Sequence, residues 1–297
     1  MAYLINPEDQ DLLDSVREFC DKEIKEQCKE YDVSGEWPAE IYAKIAELGY
    51  NGLEVPEEYG GLGLERITVA AIMEEFGKAD AGIVSTLTAS NLALKAVLIG
   101  GNEEQKQHCC DLLMDGKHGA FCLTEPMAGS DAANSKTTAV RDGDSYVLNG
   151  RKCFITNGKE ADVYIVIAVT GIVEKRGRKM KEISSFIVEK GTPGFTFGTK
   201  EKKMGIKGSS TYELIFTDCR IPKENMLGKQ GQGFKIAMHT LDGGRIGIAS
   251  QALGIAEGAL ERTVAYTKER KQFGKSISGF QNTQFQLADM ATKVEAA

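Results

Sequence analysis

The sequence has few of the residue patterns that mark disulfide-linked, metal-binding or nucleic-acid-binding proteins. Its seven cysteines are odd in number and show no Cys-x-x-Cys spacing, and its three histidines lie far apart. These patterns indicate neither a disulfide framework nor a metal site, so we expect reduced thiols. The formal net charge is -7. Because the basic residues are mixed with acidic ones, we expect no nucleic-acid partner.

Long hydrophobic runs and targeting signals are also missing. The most apolar run, residues 163–169, is rich in β-branched residues and is shorter than a bilayer-spanning helix requires. The first residues, MAYLINPEDQD, contain neither a basic region followed by an apolar one nor an Arg-rich presequence. We therefore expect a cytoplasmic protein with no membrane partner.

What is present is enough material for a large buried core. The chain has 297 residues, of which 42% are hydrophobic and 27% charged, and it suffices for one large domain or two to three smaller ones. Helical signals dominate the first third. Asn6 starts one amphipathic helix, and a second covers residues 38–48. Asn102 with Gln105 predicts a capping box before a helix that ends near Gly116.

The hydrophobic period changes near Gly119, where short segments rich in β-branched and aromatic residues begin to alternate with turn residues. The Asn149-Gly150 pair predicts a type I′ turn between two strands of a hairpin. Segment 171–182, GIVEKRGRKMKE, is interpreted as a solvated loop rather than a basic binding patch. Together these segments predict an antiparallel sheet.

The helical period returns at Gly233, and a further amphipathic run starts at Thr283 without a stop signal before Ala297. The predicted fold class is α+β. We expect a helical N-terminal domain (1–118), a middle antiparallel β domain (119–230) and the incomplete start of a C-terminal helical bundle (231–297). The order of helices, sheet and helices argues against a βαβ nucleotide-binding fold.

Four separated motifs occur in this α, β, α context: residues 55–63 (VPEEYGGLG), 122–131 (CLTEPMAGSD), 154–158 (FITNG) and 270–275 (RKQFGK, followed by Gln281). Alone, the Gly-Ser-Asp turn of the second motif is an ordinary turn after a strand. Together, and in this order, the motifs resemble the acyl-CoA dehydrogenase family of flavoproteins along the whole chain. One small departure is Asn134, which follows Ala132-Ala133 where the family usually has a small residue.

The resemblance implies a bound FAD. The residues that it assigns to the cofactor are Cys122, Leu123, Thr124, Gly129, Ser130, Phe154, Ile155, Thr156, Arg270, Phe273 and Gln281. Thr156 is implied to lie near flavin N5, where a donor suits a ring that gains negative charge on reduction. The competing interpretation of Thr156 is an ordinary β-branched strand residue, and that of Arg270 is a solvated residue at a helix end.

The resemblance also implies that Arg270, Phe273 and Gln281 hold the diphosphate and adenosine of a flavin whose ring lies in a neighbouring subunit, and hence a homotetramer. A second group is implied to line the coenzyme A part of the ligand: Ser130, Asp242, Gly243, Gly244 and Arg245. Each of the paired glycines costs a helix about 1 kcal/mol relative to alanine, which favours close approach of a ligand or another helix.

The function that the resemblance implies is the FAD-dependent α,β-dehydrogenation of an acyl-CoA thioester, with electrons passed to an electron-transfer flavoprotein. Segment 82–86 carries no Arg where glutaryl-specific relatives have one, so we expect an uncharged acyl chain. No catalytic residue is assigned within this chain. Gly244 stands where one branch of the family has its catalytic Glu, and the other branch has its Glu beyond the position of Ala297. Glu125 follows Thr124 on an alternating strand and should point away from the face that Thr124 presents.

Several alternatives stay open beside this function. One is a truncated, non-catalytic fragment that binds FAD and coenzyme A. Another is an enoyl-CoA reductase that works in the reverse direction. A flavin monooxygenase or nitroalkane oxidase on the same scaffold is disfavoured because Ser130, Asp242 and Arg245 are all present. A DNA-binding relative is disfavoured because segment 257–271 mixes acidic with basic residues.

Overall fold

The computed structural model describes residues 5–175 and 177–297. The first third is helical, as its capping residues predict. The Asn6 side chain accepts a hydrogen bond from the backbone N–H of Glu8, and Asn102 and Gln105 form the complete predicted capping box. The α-helices of this part are α1 (Pro7–Phe19), α2 (Cys28–Ser34), α3 (Ala39–Glu47), α4 (Arg66–Ala79), α5 (Ala81–Gly100) and α6 (Glu103–Met114).

A sheet of eight strands follows within the described residues, and a small hairpin lies further along the chain. The strands are β1 (Gly119–Cys122), β2 (Thr138–Asp142), β3 (Ser145–Thr156), β4 (Val163–Lys175), β5 (Arg178–Glu189), β6 (Phe195–Lys200), β7 (Thr211–Pro222) and β8 (Met226–Leu227), with β9 (Lys271–Gln272) and β10 (Lys275–Ser276) in the hairpin. The order in the sheet is β6-β7-β3-β2-β4-β5-β8, and β1 pairs with β4. The sheet is mixed rather than purely antiparallel, because β1 and β2 both run parallel to β4.

The predicted hairpin turn at Asn149-Gly150 is wrong. β3 runs straight through both residues, with a shift of register against β7 at this point. Gly150 is required for a different reason: a Cβ there would lie 2.7 Å from Cα of Thr137, so glycine permits close approach of the neighbouring backbone. The turn between β2 and β3 lies instead at Gly143, which has a φ of 61°.

The interpretation of segment 171–182 as a loop is also wrong for most of its length. β4 and β5 continue as a paired ribbon, with Gly171 opposite Glu182 and Val173 opposite Met180. Arg176, inside the same segment, lies outside the described residues. The Met180 side chain is exposed although its backbone is paired with β4. A solvated segment can therefore still form a strand. Two-stranded pairing satisfies the backbone of such a ribbon even where its side chains face water.

The C-terminal part consists of α7 (Gly233–Glu269) and α8 (Gln281–Ala296). α7 packs against α4 and α5 through glycines. A Cβ at Gly77 would lie 2.7 Å from the carbonyl oxygen of Gln251, and one at Gly243 would lie 2.5 Å from Cε of Lys95. The backbones approach closely at Gly77 and also at Gly254, where a Cβ would lie 2.0 Å from the carbonyl oxygen of Glu74. The paired glycines Gly243 and Gly244 instead face the ends of the Lys95 and Leu92 side chains. One hydrophobic cluster joins α5, α6, β4, β5 and α7, so the predicted domain limits, which remain a prediction, do not separate independent cores.

α5 is apolar and long enough to cross a membrane by composition alone. In this fold α5 is a core helix, because it packs against β1, α4 and α7. Of its most apolar 18-residue stretch, 61% is buried. A helix that is apolar on most sides is typical of the core of a large protein. The predicted α+β fold class is confirmed, with helices, sheet and helices in this order along the chain.

Candidate functional site

A cavity of about 660 Å³ lies between α5, α7 and the end of β3. Its residues are Ser85, Thr88, Ala89, Leu92, Thr156, Leu241, Gly244, Arg245, Ile248, Ala249, Gln251 and Ala252. The lining is largely apolar, and Arg245 is the charged residue in this set, so among the described residues no carboxylate lines the cavity. Such a space suits an uncharged, apolar group better than a charged one.

Thr156 reaches this cavity from a distorted end of β3. The register against β7 shifts between Lys152 and Ile155, and Phe154 has a φ of 57°, a conformation that an aromatic residue adopts only under local constraint. The distortion leaves the Phe154 side chain 64% exposed, while Ile155 is buried. Residues 154–158 do not form a hairpin turn, because β3 ends at Thr156 and β4 pairs elsewhere in the sheet.

The strand of the second motif lies beside this distorted segment. The backbone N–H of Cys153 donates to the carbonyl oxygen of Thr124 at 2.9 Å. Cys122 is buried, whereas Leu123 and Thr124 are half-buried. The turn that follows is closed by reciprocal hydrogen bonds between Glu125 and Ala128, and it presents Gly129 and Ser130 to solvent. We call Leu123, Thr124, Phe154 and Thr156 the flavin edge.

Glu125 does point away from that face, as its position predicts, and it lies in a buried ion pair. Its side chain is 5% exposed, and its Oε1 lies 2.8 Å from Nζ of Lys152, which is fully buried. Burial alone would raise the pKa of Glu125, but the Lys152 ammonium and hydrogen bonds from Ser135 and Thr137 outweigh it and hold the pKa at about 2. A carboxylate that is held ionised and fully bonded is a poor general base for a substrate.

Sequence reasoning missed Lys152, and it also missed Asn157. The Asn157 side chain is buried and donates to Thr86 O at 3.1 Å, Ser90 Oγ at 3.2 Å and Gly119 O at 3.1 Å. These contacts join the end of β3 to α5 and β1. A lone lysine in a strand carries no signal of burial, but Asn before Gly is a known choice for positive φ, and Asn157 has a φ of 61°.

Below Asn157 lies His118, another residue without a role in the sequence interpretation. Its ring is 7% exposed, lies 3.4 Å from Ser90 Oγ, and packs edge-on to Trp37 and Tyr42. Burial lowers the pKa of His118 to about 4, so the ring is neutral at physiological pH. The contact joins the helical part of the chain to the start of the sheet.

The other predicted cofactor residues lie far from the flavin edge. Arg270 caps α7, Phe273 is 93% exposed with a φ of 51°, and Gln281 begins α8. Ala252, which lines the cavity, is about 27 Å from Arg270 along the axis of α7, at 1.5 Å per residue. The structure therefore brings Arg270, Phe273 and Gln281 together at one end of α7 but keeps them apart from Thr156.

The predicted coenzyme A residues are divided between two faces of α7. Gly244 and Arg245 line the cavity with Thr156, whereas Asp242 and Gly243 line a second groove of about 650 Å³ beside Lys95 and Lys235. Asp242 and Arg245 form an exposed pair with 3.6 Å between Oδ1 and Nε. Ser130 lies in the exposed turn. The geometry thus brings Gly244 and Arg245 together with Thr156 of the flavin edge and places Asp242 at the second groove.

Comparison with known proteins extends over the same residues. Models of the N-terminal, middle and C-terminal domains of acyl-CoA dehydrogenase match residues 6–117, 120–219 and 231–297. The chain belongs to the acyl-CoA dehydrogenase family. It is therefore an oxidoreductase and a flavoprotein enzyme of the acyl-CoA dehydrogenase type.

Individual relatives and solved structures support this family assignment. The acryloyl-CoA reductase (NADH) of Anaerotignum propionicum is 47% identical over 100% of this chain and 75% of its own length. A solved structure of butyryl-CoA dehydrogenase from Megasphaera elsdenii matches with a TM-score of 0.91 and 46% identity, over 98% of this chain and 77% of that one. A structure described as the electron transferring flavoprotein of Acidaminococcus fermentans matches with a TM-score of 0.92 and 51% identity, over 98% of this chain and 76% of that one.

The cofactor of this acyl-CoA dehydrogenase family member is FAD. A family structure, glutaryl-CoA dehydrogenase from Mycobacterium smegmatis, is in complex with FADH2 and matches with a TM-score of 0.90 and 33% identity, over 99% of this chain and 74% of that one. The flavin edge fits such a group. It offers an exposed aromatic ring at Phe154, the hydroxyls of Thr124 and Thr156, and open space around Gly129. A flat ring with a polar rim needs this combination.

Proposed function

We propose that this acyl-CoA dehydrogenase acts on an uncharged short- to medium-chain acyl-CoA and removes hydrogen from its α and β carbons. The observation that carries the proposal is the apolar cavity between α5 and α7, which opens at Thr156 and holds no carboxylate among its described lining residues. A charged tail, such as that of glutaryl-CoA, would lose its hydration along these apolar walls, and the one cation among the described lining residues, Arg245, is assigned to the polar part of the ligand. Segment 82–86 at the start of α5 adds no cation.

The residues of the chain have distinct parts in this mechanism. The apolar walls formed by Leu92, Ile248 and Ala252 exclude water and hold the acyl chain. Arg245 lies at the same cavity and is assigned to the polar part of the thioester ligand. When bound, FAD supplies at N5 the acceptor for the hydride that leaves the β carbon. Thr124 and Thr156 are assigned as donors to the ring edge, where negative charge develops.

We further propose that electrons pass to an electron-transfer flavoprotein and that the protein assembles as a homotetramer. The first proposal is supported by the similarity to the structure from Acidaminococcus fermentans. The second is supported by the separation of Arg270 from Thr156, because a residue so far from its own flavin edge can serve a neighbour's flavin. A second candidate direction, reduction of an enoyl-CoA, is favoured by the similarity to an acryloyl-CoA reductase.

The substrate proposal is tested by mixing the FAD-loaded protein with butyryl-, octanoyl- or glutaryl-CoA under anaerobic conditions and following the visible flavin absorbance. We expect butyryl- or octanoyl-CoA to shift the absorbance bands of the flavin on binding and glutaryl-CoA to have little effect. Arg245→Ala should weaken ligand binding while it leaves the spectrum of the free protein unchanged. A preference for glutaryl-CoA would contradict the assignment of an uncharged acyl chain.

A separate prediction concerns proton abstraction. The described residues place no free carboxylate at the cavity, and Glu125 is committed to Lys152. A general base must come within about 3 Å of the atom that gives up the proton, or of one bridging water. We therefore expect this chain to bind an acyl-CoA ligand without turnover. If this chain does turn over, the two variants Glu125→Gln and Asp242→Asn are compared. Loss of turnover in Glu125→Gln but not in Asp242→Asn would show that Glu125 is the base.

A further inference from the structure

The Lys152–Glu125 ion pair lies directly behind the flavin edge, and the proposed mechanism leaves it without a role. Lys152 is fully buried and Glu125 is 5% exposed, with 2.8 Å between Nζ and Oε1. Removing two charges from water is costly, and a well-packed apolar pair at such a position is often equally stable or more so. Stability alone is therefore a weak reason for this pair. Its hydrogen bonds suggest a geometric role.

On the carboxylate side, Glu125 fixes the segment that follows the turn of the second motif. Its Oε2 accepts from the backbone N–H of Lys136 at 2.6 Å, and its Oε1 accepts from the backbone N–H of Thr137 at 3.0 Å and from the hydroxyl of Ser135. Both ends of the turn, from Glu125 to Ser135, are thereby attached to one carboxylate. The position of the exposed Gly129–Ser130 backbone depends on this attachment.

On the ammonium side, Lys152 fixes the strand that enters the turn. Its Nζ donates to the carbonyl oxygen of Leu123 at 3.1 Å, and the next residue, Cys153, donates its backbone N–H to Thr124 O at 2.9 Å. Lys152 is also the last residue of β3 paired in register with β7 before the distortion that exposes Phe154. The ammonium, through Leu123 O, and the Cys153 N–H, through Thr124 O, therefore attach the Leu123–Thr124 backbone to the point from which Phe154 and Thr156 are presented.

We propose that Lys152 and Glu125 are positioning residues that hold the two halves of the flavin edge in register, and thereby set the affinity for FAD and the reduction potential of the flavin. The proposal rests on the proposed placement of the flavin at this edge. A displacement of donors by a fraction of an ångström changes their hydrogen bonds to a ring that gains charge. Neither residue needs to touch the cofactor.

The test compares Lys152→Met, Glu125→Leu and the double variant in the purified protein. We measure urea unfolding of the apoprotein, the dissociation constant of FAD, and the flavin potential by equilibration with a reference dye. Each single variant leaves an unpaired buried charge and should be the least stable. The double variant should regain part of the apoprotein stability, because the N–H groups of Lys136 and Thr137 still lose their acceptor. In the double variant, FAD binding should still be weaker by about tenfold or more, with a shifted potential.

The exposed pair Asp142–Arg220, between β2 and β7, serves as the matched control. The variant Asp142→Leu with Arg220→Met should leave FAD affinity and potential unchanged. A double variant of Lys152 and Glu125 that is stable and has wild-type FAD affinity and potential would overturn the proposal. If that variant does not fold, Ser135→Ala, which removes one donor to Glu125, takes its place: a weaker FAD complex with a shifted potential supports the proposal, and unchanged values overturn it.

These outcomes are distinct from failure of the proposed function. If the wild-type protein releases no FAD on denaturation and cannot be reconstituted with it, the placement of the flavin at this edge fails first. If the wild-type protein binds FAD and the variants bind it equally well, only the role of Lys152 and Glu125 fails.

Discussion

The ring side and the adenosine side of the assigned cofactor site differ in how the chain supports them. On the ring side, the half-buried Thr156 is followed by the buried Asn157, whose side chain makes three hydrogen bonds to α5 and β1. On the adenosine side, Phe273 is 93% exposed on a hairpin of two-residue strands. Buried contacts fix a side chain before a ligand arrives, whereas an exposed hairpin acquires its order from what it contacts. The difference favours a site in which one subunit binds the flavin ring and a second subunit completes the binding of the adenosine.

Substitution of Asn157 tests this comparison most strongly. We expect Asn157→Gly to lower the free energy of unfolding of the apoprotein by about 2 kcal/mol, because it removes three buried hydrogen bonds, to Thr86, Ser90 and Gly119. Asn157→Ala should lower it by about 1 kcal/mol more, since alanine is strained at a φ of 61° whereas glycine is not. Urea unfolding followed by circular dichroism measures both values.

Phe273 provides the matched control, since it also has a positive φ, of 51°. Phe273→Gly removes an exposed side chain and relieves backbone strain, so we expect unchanged or slightly higher apoprotein stability. An equal loss of stability in Phe273→Gly and Asn157→Gly would remove the distinction between a rigid ring side and an unsupported adenosine side.

The pH dependence of stability gives a second effect, of comparable size, on the ring side. Burial lowers the pKa of His118 from an ordinary value of 6.5 to about 4. The unfolded chain therefore binds a proton more readily, and the stability contributed by neutral His118 is present above pH 6.5 and lost as the pH falls from 6.5 to 4. The loss amounts to at most roughly 3 kcal/mol. Melting temperatures of the apoprotein between pH 7.5 and 4 should show it.

His118→Phe should flatten the melting profile over this range, because the aromatic contacts with Trp37 and Tyr42 remain possible while the titrating group is gone. His108→Gln, at an exposed site beside Glu189, should leave the profile as in the wild type. The contribution of Glu125 is separable, since its pKa is lowered to about 2 and its stabilisation is lost only below about pH 4.5. A profile that His118→Phe leaves unchanged would assign the acid sensitivity elsewhere.

The order of helices, sheet and helices could be predicted from the sequence because capping residues and hydrophobic periods are local signals. Asn102 and Gln105 form the capping box that their spacing predicts. The Asn149-Gly150 turn was wrong because the same pair also suits a bulge, and only the neighbour Thr137 decides between them. Motifs located Thr124 and Thr156, but Lys152 became visible only in three dimensions, since its partner Glu125 is distant along the chain.

Arg270→Ala is expected to have the smallest effect on the chain itself and sharpens the comparison from the adenosine side. Arg270 is exposed at the end of α7, so we expect apoprotein stability to stay unchanged. If Arg270 binds the diphosphate of a partner's flavin, loss of its charged hydrogen bonds should weaken FAD binding by about tenfold. The visible spectrum of the bound flavin should stay as in the wild type, because the ring environment at Thr156 is untouched.

Lys268→Ala removes a nearby exposed charge on the same helix. This control variant should bind FAD as the wild type does. Sedimentation gives the oligomeric state of the Arg270→Ala variant. If the variant is a monomer and binds FAD with wild-type affinity, one chain alone holds the whole cofactor.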